Sequence, residues 1–387
     1  MTTILAIGPH PDDVEGGMGG SILKLVALGY DVHILDLTKQ ALEDVGLEVL
    51  IPEVPKELID RASTVSQITS WDLVAASQMP EEFDLFVGPP GYSLAQIIRA
   101  REHFNSTDDF EAGNHAKVAT WVWNNSDVWR DSQLAEEYKA LGWPYDLSPT
   151  WRWINKRALE LSDLVVACSP FVKATHQALV PEANIQIAPW GVDSMRFTPD
   201  WEWLAQNPKP LKVLFVGSDV VRKGLPYLLT ALEGMEDVEV TMVGSQARVD
   251  VTGIKVQNLG MVPNSEMPYL YRRHHVMALP SLEDGIALSI QEGMASGLVP
   301  VTSPDTAEVF SRATPLAEAG GAIFRHEDCG FVIGYRDVEG YRRALMWLRD
   351  HPEERLMMGR RARALTETQP WDIYRTGFAN LIAKLLK

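Results

Sequence analysis

Val276-Met-Ala-Leu-Pro-Ser-Leu-Glu-Asp-Gly-Ile-Ala-Leu-Ser-Ile-Gln-Glu-Gly-Met-Ala-Ser-Gly-Leu-Val-Pro-Val-Thr302 reads as strand, loop, helix, tight turn and strand. Its opening run is apolar without alternation, which suits a strand buried on both faces of a parallel sheet. Asp284-Gly285 precedes the helix, so the backbone N–H groups of Gly285, Ile286, Ala287 and Leu288 can hold an anion or a row of hydroxyls. Asp284 and Glu292 are eight residues apart, about two helical turns, so both can address one side of the helix.

The same alternation runs through most of the chain. Further apolar runs at Thr3–Gly8, Asp31–Leu37, Asp84–Val87, Lys117–Val122, Leu164–Ala167, Lys212–Gly217 and Val238–Gly244 predict strands. Helical patterns lie between such runs, as at Leu225–Leu232 and Val338–Leu348. This predicts an α/β, doubly wound architecture with two Rossmann-like domains. The polar, proline-punctuated stretch Arg196–Pro210 predicts the boundary, giving domains 1–200 and 201–371. In the second, the strand ending at Gly217 leads through Ser218-Asp-Val-Val-Arg222-Lys223 into a helix opening near Gly224. Arg222 and Lys223 thus fall at the carboxyl edge of a parallel sheet, where open α/β folds bind ligands, and two cations there can neutralise a diphosphate.

The chain has 387 residues, 46% of them hydrophobic and 22% charged, which is globular composition. Its net charge is −17, and residues 1–200 carry 29 Asp+Glu against 14 Lys+Arg, hence −15 of it. That field repels nucleic acid and anionic headgroups, so polynucleotide partners are excluded. The two cysteines, Cys168 and Cys329, supply neither a disulfide framework nor a structural zinc cluster. No apolar run reaches the ~18 residues of a membrane span, no signal-type segment opens the chain, and the expected compartment is the cytoplasm.

With these motifs in order, the chain resembles the retaining GT-B-fold glycosyltransferases of family four over about residues 110–387. The family's run of Pro-Ser, an acidic residue, seven spacers and a Glu is similar to Pro280-Ser281, Asp284-Gly285-Ile286-Ala287-Leu288 and Glu292-Gly293-Met294-Ala295. Asp replaces the family's first Glu, Ile-Ala its Phe-Gly, and Gly293 its Ala. The Gly-Arg…Lys-Gly phosphate signature resembles Gly217-Ser218…Lys223-Gly224, with Ser218 at the Arg position and Arg222 as its substitute. Trp190-Gly191-Val192-Asp193 and Pro370-Trp371-Asp372 are similar to the family's hinge and to the Trp before its last helix.

The resemblance implies two Rossmann-like domains facing across a cleft, with a last helix, about 372–387, returning to the first. It implies sugar transfer from a UDP-, GDP- or ADP-linked donor to a sugar or glycoconjugate acceptor. Anomeric configuration is retained, and neither cofactor nor metal is needed. Lys223 and Arg222 would then take the phosphates, Asp284 and the Gly285–Leu288 amides the donor sugar, and Glu292 the ribose. Gly217, Ser218 and Gly244 would line the donor side. Trp123, Asn124 and Asn125 end a strand where the family often places a donor-contacting His, and are candidates for the sugar or acceptor side.

The first forty residues resemble another family. Gly8-Pro-His10-Pro-Asp12-Asp13 is similar to the opening of LmbE-like zinc de-N-acetylases, which implies His10 and Asp13 as zinc ligands and Asp12 as base. The third ligand that family needs has only His115 as a candidate. Alternatively Thr3–Thr38 supplies the first strand, turn, helix and second strand of a Rossmann domain, with Gly16, Gly17, Gly19 and Gly20 letting the backbone approach donor phosphates. A zinc hydrolase and a catalytically weak nucleotide-sugar-binding protein stand as alternatives to the transferase.

Overall fold

The computed structural model describes residues 3–8, 27–36, 49–50, 72–77, 79–80, 83–102, 115–145, 148–244, 254–307, 324–326 and 329–387. They form two compact units. The first comprises Met1–Val128, Asp146–Pro189 and Asp372–Lys387, the second Trp129–Tyr145 and Trp190–Trp371.

The first unit carries strands β1 (Thr3–Gly8), β2 (Asp31–Asp36), β3 (Val49–Leu50), β4 (Leu85–Gly88), β5 (Lys117–Val122), β6 (Leu164–Ala167) and β7 (Ile185–Ile187). They lie in the order β3-β2-β1-β4-β5-β6-β7. Every pairing is parallel, β1 aligning Thr3 with Asp31 of β2 and Ile4 with Leu85 of β4. β4 and β6 are buried at every position, the mark of strands covered on both faces. On one face Phe83, Phe86 and Val118 pack with Ile97 of helix Leu94–Arg101 and Ile154 of helix Pro149–Glu160.

The second unit holds β8 (Leu211–Val216), β9 (Val238–Val243), β10 (Val256–Asn258), β11 (Val276–Leu279), β12 (Val299–Thr302), β13 (Phe324–His326) and β14 (Gly330–Val332). The order is β10-β9-β8-β11-β12-β14-β13, parallel except where β13 meets β14. β8 is paired by β9 on one side and by β11 on the other, Val213 lying against Val276. The strand order therefore reverses between β8 and β11. At such a switch point the connections leave in opposite directions and open a crevice at the strands' carboxyl ends. The turns after these two strands, 217–224 and 280–287, hold Arg222, Lys223 and Asp284.

Helices Leu225–Leu232 and Leu288–Ala295 stand at the expected positions. Both α/β sheets match the expected fold class, and Asp372–Lys387 packs into the first unit. The division differs from 200/201, since the chain passes between units at Pro189–Trp190. Although polar in composition, Arg196–Pro210 carries anchors of the second unit. Phe197 is buried edge-on against Tyr271, with centroids 5.6 Å apart, and Trp203 stacks on buried His275 at 4.7 Å. Helix Asp127–Ala140 is the other departure, because from Trp129 onward it belongs to the second unit. Tyr138 Oη donates to Asp219 Oδ1 at 2.6 Å, Tyr227 Oη to Glu137 at 2.8 Å, and Arg336 Nη2 to the Gln133 carbonyl at 2.9 Å. Among the described residues no helix is long and apolar enough to cross a membrane.

Candidate functional site

Two turns meet at the β8/β11 switch point because glycine lets them. Gly224 has φ +68°, and a Cβ there would lie 1.9 Å from the Pro280 carbonyl oxygen. Gly244, at the end of β9, has φ +116°, and its Cβ would lie 2.3 Å from the Gly217 oxygen. The turns are also stitched directly, Leu282 N donating to the Arg222 carbonyl at 2.8 Å.

Asp219 shapes the first turn. Its Oδ1 accepts from Arg222 N at 3.1 Å and from Tyr138, while its carbonyl accepts from Lys223 N at 2.9 Å. Arg222 is thereby aimed across to the second turn, where its Nη1 donates to Oε2 of fully buried Glu283 at 3.3 Å. Burial acts to lower the Arg222 pKa, but the charges of Asp284, Glu283 and Asp219 outweigh it and raise the value.

Lys223 Nζ donates to Asp284 Oδ2, and both side chains are largely buried, 14% and 7% exposed. Ser281 Oγ donates to the same oxygen at 3.4 Å. Burial alone would raise the Asp284 pKa. The Lys223 and Arg222 charges, with hydrogen bonds from Lys223 and the Gly285 N–H, hold it below the usual carboxylate range. Behind it, Asp305 accepts the Asp284 N–H on Oδ2 at 2.8 Å, and burial with the nearby Asp284 charge pushes its pKa up to about 8. Two cations thus face the carboxylates of Asp219, Glu283 and Asp284. A dianionic phosphate group entering here must exchange places with a carboxylate already bound to the lysine.

Helix Leu288–Ala295 starts four residues after Asp284, at N-cap Ala287 and without a side-chain cap. Asp284 is therefore a turn residue, and helical periodicity does not govern its direction. Glu292 does lie on the helix, where its Oε2 accepts from Tyr271 Oη at 2.9 Å. Burial pushes the Glu292 pKa up to about 7, against the lowering effect of Tyr271 and of the Arg196 charge. Gly285, Ile286 and Ala287 are buried. Ser218 is exposed and sits 3.9 Å from Met261 Sδ.

The structure brings together Gly217, Arg222, Lys223, Gly244, Asp284 and Gly285. Trp123, Asn124 and Asn125 follow β5 in the first unit, where the Asn124 carbonyl is bonded to His176 Nε2 at 3.1 Å. His10, Asp12, Asp13, Gly17 and Gly19 lie outside the described residues. His115 is held by Arg101 Nη1 at 2.7 Å and by the Ala116 carbonyl, and among the described residues no His/Cys/Asp/Glu group is arranged to hold a metal ion. Sequence alone missed Glu283, Asp219, Tyr138, Tyr271 and Asp305. For Asp305 one signal was available, since it stands three residues beyond the carboxyl end of the strand beside β11.

Residues 210–351, the heart of the second unit, match the model of the family described as Glycosyl transferases group 1. The chain is 27% identical to the D-rhamnosyltransferase WbpZ of Pseudomonas aeruginosa over 311 residues, which is 73% of this chain and 74% of that protein. It is 29% identical over 198 residues to the MMP alpha-(1->4)-mannosyltransferase of Mycolicibacterium hassiacum, 48% of this chain and 44% of that one. In fold it is similar to sucrose-phosphate synthase of Thermosynechococcus elongatus, with TM-score 0.72 and 16% identity over 100% of this chain and 99% of that one. It is likewise similar to Anabaena HepE, solved in complex with UDP-glucose, at TM-score 0.64 and 14% identity over 99% and 100%. The family model and the relatives support a glycosyltransferase, and the solved structures show the GT-B fold.

Proposed function

We propose that this protein transfers a sugar from a nucleotide-sugar donor to a sugar or glycoconjugate acceptor with retention of configuration. One observation carries the proposal: Arg222 and Lys223 converge with Asp284 at the β8/β11 switch point, inside the segment matched by the glycosyltransferase family model. The donor's diphosphate takes Lys223 from Asp284. The released carboxylate turns to the donor sugar's hydroxyls, with the amides of Gly285–Leu288 beside it. As the glycosidic C–O bond lengthens, charge gathers on the leaving phosphate. Lys223, Arg222 and the N-terminal dipole of helix 288–295 stabilise that charge in fixed positions. The acceptor attacks on the face the phosphate leaves, and the phosphate takes the acceptor's proton. Glu292 binds the nucleotide ribose. Because protein cations meet the phosphate charge, the reaction runs without a divalent ion. Its compartment is the cytoplasm, where buried thiols such as those of Cys168 and Cys329 stay reduced.

The test is calorimetry and thermal shift with UDP, GDP, ADP and their glucose and mannose derivatives, followed by transfer assays with and without EDTA. One nucleoside diphosphate is expected to raise the melting temperature, with transfer unaltered by EDTA. Failure of all three to bind would overturn the reading.

A further inference from the structure

We infer that Asp305 is a positioning residue for this site. Its carboxylate grips the Glu283–Asp284–Gly285 turn by the backbone and so fixes where the Asp284 carboxylate stands relative to Lys223. The inference rests on the proposed donor site.

Asp305 is wholly buried. Its Oδ2 accepts from Asp284 N at 2.8 Å, and its Oδ1 from Ser303 Oγ and Thr306 N, each at 2.9 Å. The carboxylate is in turn anchored to the sheet. Thr306 Oγ1 donates to Thr302 Oγ1, whose own proton goes to the Leu279 carbonyl at 2.8 Å. One side chain therefore ties the end of β12 to the turn leaving β11, beside the switch point.

The chemistry calls for more than packing. A buried carboxylate next to Asp284 and Glu283 is electrostatically unfavourable, and a neutral acceptor would bridge the same strands at lower cost. Three N–H or O–H donors converge on the Asp305 carboxyl, two on Oδ1 and one on Oδ2. Asparagine in its place would turn an NH2 toward one of those donors.

The experiment compares full-length wild type, Asp305→Asn and Ser303→Ala. Hydrogen exchange at the Asp284 amide reads the grip without any donor. Calorimetry with UDP, GDP and ADP reads binding, and turnover of the matching sugar nucleotide reads chemistry. In Asp305→Asn the Asp284 amide is expected to exchange at least tenfold faster. Turnover should fall at least thirtyfold while nucleoside diphosphate affinity is not weakened. Unchanged exchange, or affinity and turnover falling in step, overturns the inference. Should Asp305→Asn fail to fold, Ser303→Ala carries the test: exchange at Asp284 at least threefold faster supports it, and unaltered exchange overturns it. If wild type binds none of the three nucleoside diphosphates, the donor-site reading fails, while the exchange measurement still decides whether Asp305 holds the turn.

Discussion

Replacing Asp284 by Asn should tighten nucleoside diphosphate binding while destroying transfer. In the free protein Lys223 is occupied by Asp284, with both side chains largely shielded from water. Two unit charges about 3 Å apart at an effective dielectric near 20 attract by about 5.5 kcal/mol. A phosphate oxygen in the same place gains about as much, so donor binding is close to an even exchange of one anion for another. The amide of the Asp284→Asn variant would still accept a hydrogen bond from Lys223 but would no longer compete as a charge. Desolvation consumes most of the gross attraction. If about a quarter survives, roughly 1.4 kcal/mol, affinity for the nucleoside diphosphate rises about tenfold. Transfer should fall 10²-fold or more, roughly the loss of one transition-state contact. Titration calorimetry with UDP, GDP and ADP, beside a transfer assay, measures both. Weaker nucleoside diphosphate binding by a folded Asp284→Asn variant would refute the competition between carboxylate and phosphate.

Lys223→Ala should lower both melting temperature and turnover, because it strands a buried carboxylate; adding Asp284→Asn should restore the melting temperature but not the turnover, as calorimetry and assay would reveal. Glu292, raised from its ordinary 4.5 to about 7, favours the fold while protonated. That contribution is complete below about pH 4.5 and is lost as pH rises through about 7, at most roughly 3 kcal/mol. Glu292→Gln should therefore flatten the denaturant midpoint between about pH 4.5 and 7, and a slope equal to wild type would contradict it. Gly224→Ala places a Cβ against the Pro280 carbonyl at positive φ, so the melting temperature should drop by several degrees and nucleoside diphosphate binding should weaken.

Much of the second unit was legible from local signals. Continuous apolar runs mark β8 and β11, and helices 225–232 and 288–295 follow from their spacing and from Gly224 and Gly297 at their ends. The carboxyl-edge rule then placed Arg222, Lys223 and Asp284 on one rim. It did not reveal that Lys223 and Asp284 bond to each other, a pairing across 61 residues. Nor did it reveal Asp305, whose contribution is a backbone bond to Asp284, 21 residues away, that no side-chain pattern records. The docking of Trp129–Tyr145 on the second unit was equally hidden. A weakly amphipathic helix with one buried residue, Leu134, carries no signal for its partner, which Tyr138, Glu137 and Gln133 select through long-range hydrogen bonds.

Neither unit is continuous in the chain, and this orders their birth on the ribosome. The first unit's strands emerge early, yet Asp372–Lys387, which bury Tyr374 and Phe378 in that unit, are translated only after the whole of the second. The second unit likewise recruits Trp129–Tyr145, whose Tyr138 and Glu137 are made 81 and 90 residues before their partners Asp219 and Tyr227. The first unit must therefore wait for distant chain while the second finds its piece already made, so a first sheet with uncovered apolar surface persists through much of synthesis. Dissection of the protein at any single peptide bond near the boundary leaves both fragments incomplete; only a fragment pair, or a permuted chain that carries 372–387 ahead of residue 1, gives the first unit all of its parts.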